Sequence, residues 1–184
     1  MAQDPMALPA AASEIKVKEK KAEVEQKVEK VEHPDFSGKW KIISSEGLAD
    51  FCEAAGITGM QYTFQKKSEK RMVQIIEQDE DGRIFTVKMN TQTFERELTY
   101  TIGKGTSPFE YRDQHKNIIS AEAIWNKDGK KIIIKAKVYK KGVDPNEEPD
   151  NFLRRSEIRY MKKKKMYEEI TVNGETLVRK FQKA

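Results

Sequence analysis

SEIRYMKKKKMYEEITVNGETLVRKF, Ser156 to Phe181, alternates with period two through three short segments parted by tight turns, and so reads as three antiparallel strands. On that alternation Arg159 and Arg179 take positions that otherwise point indoors. A second stretch, DFSGKWKIISSEGLADF, Asp35 to Phe51, reads as a strand broken by a helix start. An unpaired guanidinium in a low-dielectric interior is costly, so two arginines aimed into a closed sheet need an anion. Glu157 shares the face of Arg159, and Glu168 shares that of Met166 and Ile170. Two readings therefore stand side by side: the arginines hold an anionic ligand, or they pair with two interior carboxylates.

Between these stretches the chain alternates throughout. A strand from about Phe36 to Ser44 leads into SSEGLADFCEAAG, a helix with Ser44 or Ser45 as N-cap and Gly56 as its stop. A second helical stretch, ITGMQYTFQKKSEK, carries Met60, Phe64 and Tyr62 on one side. RMVQIIEQ and RIFTVKMN flank Asp81-Gly82, and NIISAEAIW and KKIIIKAKVY flank Asp128-Gly129, both strong hairpin signals. FERELTYTI places Phe94, Leu98, Tyr100 and Ile102 on one face, and PFEYRD is a short strand. The predicted fold is all-β, a ten-stranded antiparallel up-and-down β-barrel of calycin type, with a two-helix lid between strands 1 and 2. Closure also removes exposed sheet edges. Trp40 and Trp125 read as barrel wall or floor.

The 184 residues divide at Pro34 into a charged N-terminal extension, residues 1–34, and a barrel over residues 35–184. EIKVKEKKAEVEQKVEKVEH has no aromatic residue, and its valine stripe, Val17, Val24 and Val31 with Val28, is too short for a secure coiled coil, so it reads as a solvated, disordered or partly helical tail. With 35 Lys and Arg against 30 Asp and Glu, interspersed, the net charge of +5 argues against nucleic acid as a partner. It leaves room for transient contact with an anionic membrane surface, as does the lysine-rich tip Lys162 to Lys165, otherwise a solvated turn. The single Cys52 excludes an internal disulfide, fits a reducing compartment and reads as a buried helix residue. The expected location is cytoplasmic. MAQDPM, with Met6 as a second start, keeps a secreted protein open if a native leader has been replaced.

Catalytic and metal motifs are weak. Gly103-Lys104-Gly105-Thr106 lacks the spacing of a phosphate loop and reads as a turn, and His33, His115 and Cys52 have no zinc spacing. No nucleophilic constellation stands out, so the chain is expected to be no enzyme, to take no cofactor and no metal, and to be a monomer.

From about Phe36 to Phe181 the chain resembles the intracellular lipid-binding proteins, the fatty-acid- and retinoid-binding barrels. Gly38, Lys39, Trp40, Lys41 and Ile42 fit the opening Gly-x-Trp strand of that family. Where the family has Asn-Phe-Asp, Gly47, Leu48 and Ala49 stand here, and Asp50 and Phe51 resume the match. Arg159, the Val172-Asn173-Gly174 turn and Arg179 fall at the spacing of the closing signature, with Phe181 in place of the tyrosine of its Arg-x-Tyr. The resemblance implies a large, partly wet cavity, a portal under the helices, and a carboxylate held by Arg159 and Arg179. The position of Phe181 belongs to that clamp, but it brings no hydroxyl. The implied function is non-covalent binding and carriage of a long-chain fatty acid or retinoid-like anion. The polar composition, with mean hydropathy −0.80, is also similar to that of the secretory abundant heat-soluble proteins of tardigrades, which share the barrel. The alternative is accordingly a hydrophilic, protective barrel that binds little ligand.

Overall fold

Buried and half-buried side chains alternate without a break along β9 (Lys165–Val172), and the same period shapes its neighbours β8 (Leu153–Lys162) and β10 (Glu175–Lys183). The computed structural model describes residues 31–92 and 94–184; the predicted stripe of Val17, Val24 and Val28 lies outside them. β1 (Gly38–Glu46) is followed by α1 (Leu48–Ala54) and α2 (Gly59–Glu69). Then come β2 (Val73–Gln78), β3 (Ile84–Asn90), β4 (Glu95–Thr101), β5 (Phe109–Arg112), β6 (Ile118–Trp125) and β7 (Lys131–Tyr139). One ten-stranded antiparallel sheet runs β4-β3-β2-β1-β10-β9-β8-β7-β6-β5. The fold is the predicted barrel with two helices between its first two strands.

The sheet closes incompletely. Its end strands, β4 and β5, meet through side chains: Tyr100 stacks on Phe109 at 4.7 Å, and the Arg96 guanidinium lies 4.4 Å from the centre of the Tyr111 ring, while Ile102, just past β4, bridges Ala123 of β6. The barrel floor is aromatic. Trp40 donates to the Phe36 carbonyl at 2.7 Å, and Phe36, Phe85 and Trp125 pack on one another, Phe85 edge-on to Trp125. His33 stacks on Trp125 at 4.0 Å.

Two local expectations change. Ser44 and Ser45 do not cap a helix, because they remain in β1, paired with Lys180 and Arg179 of β10 beyond a bulge at Ile43. The helix starts one turn later, from Gly47 at φ 75°. A Cβ there would also lie 2.3 Å from the Thr176 carbonyl oxygen, so the departure from Asn-Phe-Asp begins with a residue that only glycine can be. The second expectation concerns α2. Met60 and Phe64 are 74% and 44% exposed, while Gln65, Ser68 and Glu69 are buried. The helix turns its polar side to the barrel because the interior beneath it is charged. At the opposite end the lysine tip turns through Lys163 and Lys164, both exposed and at φ 50° and 61°, as a two-residue hairpin of type I′ requires.

Gly47→Ala is expected to destabilise the barrel by about 1–3 kcal/mol, through the left-handed backbone and the clash with β10. Chemical denaturation of the variant beside wild type checks this; a change under ~0.5 kcal/mol would show that the β1–α1 corner can rebuild.

Candidate ligand cavity and buried arginine–glutamate network

Strand register brings the two sequence-predicted arginines together. Glu168 on β9 is the cross-strand partner of Arg159 on β8 and of Arg179 on β10. Side chains so paired on one face of a sheet lie within reach of each other. Glu168 accepts from Arg159 Nη2 at 2.7 Å through Oε1 and from Arg179 Nη1 at 2.7 Å through Oε2. Arg159 Nη2 also donates to Glu157 at 3.1 Å, and Arg155 Nη2 to the other oxygen of Glu157 at 3.2 Å. A third carboxylate comes from the lid. Glu69, the last residue of α2, takes Nε and Nη2 of Arg179 in a fork, and is itself held by Ser45 Oγ at 2.8 Å and Gln65 Nε2 at 2.7 Å.

The interior carboxylates thus pair with both arginines, as one of the two readings held, but with a partner set wider than Glu157 and Glu168. Arg155 was legible, since it shares the alternation of Glu157 and Arg159. Arg96 shares that of Leu98 and Tyr100. Glu69 had no such signal: it reaches Arg179 across 110 positions of chain. Phe181 is fully buried in the apolar core between Ile42 and Met166 and offers no polar atom to the network.

The charges are unequal in environment. Burial alone would raise the Glu168 carboxyl, but the Arg179 and Arg159 guanidinium groups override it and hold the group well below its ordinary value of 4.5. Glu157 goes the other way: burial and the nearby Glu168 charge raise it despite Arg159 and Arg155. Burial likewise pushes the Tyr100 phenol up to about 12 and, with Glu69 nearby, the Cys52 thiol up to about 11. Among the described residues, Arg159 Nε and Nη1, Gln74 Oε1, Tyr100 Oη and Arg96 Nε are buried without a hydrogen-bond partner. Groups of this kind cost about 1–3 kcal/mol each unless water or a ligand atom meets them.

Above the network a cavity of about 310 Å³ opens beneath the helices. Its mouth lies between α1, α2 and the β3–β4 and β5–β6 turns; Met72, Met89, Val138 and Leu153 give it apolar walls. Arg96, Arg155, Arg179, Lys140 and Lys141 line it, against one acidic residue, Asp113. The Asp113 carboxylate is already occupied by the His115 and Asn117 backbone N–H groups at 2.8 and 2.9 Å. The cavity has a mixed polar and apolar lining with more cationic than anionic side chains.

The comparisons match this fold. Human cRBP IV superposes with a TM-score of 0.64 at 20% identity, over 82% of this chain and 99% of its own. A structure described as REP1-NXSQ fatty acid transporter gives 0.64 at 21%, over 82% and 96%. Caenorhabditis elegans lipid binding protein 8, in its apo form, gives 0.63 at 14%, over 81% and 95%. The chain has the fold of the intracellular lipid-binding proteins. These neighbours carry the names of binding and transport proteins. No protein-family model and no curated protein matches the sequence. Within this fold, an Arg–Glu–Arg ladder now occupies the place that the sequence resemblance assigned to a ligand carboxylate.

Glu168→Gln is expected to destabilise the barrel by about 3–5 kcal/mol at neutral pH, because two buried guanidinium groups lose their shared partner. The wild-type advantage over Glu168→Gln is full above the ordinary carboxylate pKa and falls away below it, since the native value is depressed. Glu157 has the opposite sign. Its native value is raised, so relative to Glu157→Gln the wild type gains stability as pH falls from neutral through that native value. Denaturant titrations from pH 7 to pH 3 on the three proteins check both slopes, and parallel curves would contradict the assignment.

Proposed function

We propose that this barrel reversibly binds and carries a hydrophobic anion of the long-chain fatty-acid or retinoid-like class, without catalysing a reaction. The observation that carries the reading is the cavity under α1 and α2, which combines apolar wall residues such as Met72, Met89, Val138 and Leu153 with polar amides and hydroxyls, and whose charged lining is cationic apart from Asp113. Each buried methylene of an aliphatic tail contributes about 0.8 kcal/mol. A guanidinium fork meets a carboxylate with two hydrogen bonds at once. Support also comes from the names of the neighbours, which include a fatty acid transporter and a lipid binding protein. The volume lies at the small end of the range for ligand pockets, which suits a single chain better than a bulky ring system.

Of the residues the sequence assigned to the ligand, Arg179 lines the cavity, Arg159 lies behind it with two free donors, and Phe181 packs below. In this reading a ligand carboxylate engages cationic side chains of the cavity lining. The carrier acts as a monomer with a single buried thiol, and a cytoplasmic location fits it. Among the described residues no helix is long and apolar enough to cross a membrane. The lysine tip and the net charge leave a passing contact with anionic lipid within reach.

One observation favours the second reading, a hydrophilic protective barrel: Arg159 and Arg179 are already neutralised by Glu69, Glu157 and Glu168. The two separate experimentally. In a carrier, a fluorescent fatty-acid analogue binds saturably at one site per chain, unlabelled fatty acid displaces it, and mass spectrometry of material extracted from the purified protein finds a bound amphiphile. Arg179→Gln is expected to lose about 3–5 kcal/mol of stability, because Glu69 and Glu168 are left facing each other. Failure of every probe to saturate, with no lipid in the extract, would sink the carrier and leave the protective barrel.

A further inference from the structure

We infer that the anionic head of the ligand is received by Arg96 of β4 and Arg155 of β8, in the upper part of the cavity near its mouth, and not by the deeper pair Arg159 and Arg179. This rests on the carrier reading above and adds the subsite. The strands set two levels. Arg155 stands four positions nearer the mouth than Arg159 on β8, which is about 13 Å at the rise of an extended strand. Arg96 lies one position inside β4, directly below the β3–β4 turn that forms part of the mouth.

The deeper level has no need of another anion. Arg159 and Arg179 there share three carboxylates, Glu69, Glu157 and Glu168. A fourth carboxylate would face like charge at close range in a low-dielectric interior. The upper level is the reverse. Arg96 forms no ion pair among the described residues, and its Nε is buried without an acceptor. Its guanidinium is instead held in place by the Tyr111 face at 4.4 Å and, more loosely, by Phe94 at 6.0 Å. Arg155 gives Nη2 to Glu157 and is among the residues that line the cavity. Lys140 and Lys141 add positive charge at the rim.

A guanidinium stacked on an aromatic ring keeps its edge N–H groups free while its plane is fixed, so little rotamer entropy is lost when an anion arrives. The ligand that fits is a single-chain amphiphile with a carboxylate or similar compact anionic head. Its tail runs crosswise beneath the helices along Met72, Met89 and Val138, since the ionic layer and the aromatic floor block the way down.

The test uses the full-length protein and displacement of a neutral hydrophobic fluorophore by a fatty acid and by the fatty alcohol of the same length. Wild type is expected to prefer the acid. Arg96→Gln and Arg155→Gln are each expected to cut that preference by about ten-fold or more, as for loss of a hydrogen bond to a charged group. Alcohol affinity, which needs no cation, changes little and reports that the fold is intact. Arg96→Lys retains part of the preference. An unchanged acid-to-alcohol ratio in both Gln variants, with both ligands still bound, overturns the subsite and leaves the carrier standing. Loss of the ratio only in Arg159→Gln places the head at the deeper level and overturns it as well. Binding of neither ligand by wild type ends the carrier reading and this subsite together.

Discussion

Glu168 stands between two arginines on the strands to either side of it, and the rest of the interior is arranged around that triplet. Three consecutive antiparallel strands can bring a carboxylate and two guanidinium groups into one row only in a single register. A slip of one residue in β8 or β10 would send an arginine to the outer face and leave Glu168 buried with half its partners. Compared with an apolar row of equal volume, such a ladder contributes little net stability, whereas losing one member leaves an uncompensated buried charge. Its effect is to make every alternative register expensive.

The same ladder governs the lid. Arg179 is shared between Glu168 below and Glu69 at the end of α2 above, so ion pairs tie the helix to the sheet, with Tyr62 adding an apolar contact. That explains the inverted burial of α2, with Gln65, Ser68 and Glu69 inward and Met60 and Phe64 outward. Apolar anchoring falls to α1, whose Phe51 and Cys52 pack on Ile170, Val172 and Leu177 at the upper ends of β9 and β10. The lid is thus held on one side by hydrophobic contact and on the other by charge.

Much of this was legible in one dimension. Period-two alternation, two Asp-Gly hairpins and the Gly-x-Trp opening are local signals, and each gave its element because sheet faces impose them directly. Glu157, Arg159, Glu168 and Arg179 were legible as inward residues for the same reason. The Ser44 and Ser45 caps were not, because cap propensity is local and the ladder with Lys180 and Arg179 outweighs it. The apolar side of α2 misled in a similar way: Met60 and Phe64 mark a buried face only when the surface beneath is apolar, and here it is not. Glu69 and the cation–π seating of Arg96 depend on contacts between elements distant in sequence or across an unpaired strand seam, and no spacing rule encodes them.

The seam between β4 and β5 gives those observations a common cause. Where backbone hydrogen bonds stop, side chains must close the wall, and Tyr100 on Phe109 and Arg96 on Tyr111 do so as a stacked ladder. A guanidinium recruited for packing cannot also be buried against a carboxylate without filling the cavity it borders. Among the described residues Arg96 therefore forms no ion pair, while the arginines opposite, on fully paired strands, are neutralised by their own cross-strand neighbours. The seam thus brings one cation of the cavity lining, Arg96, beside the mouth.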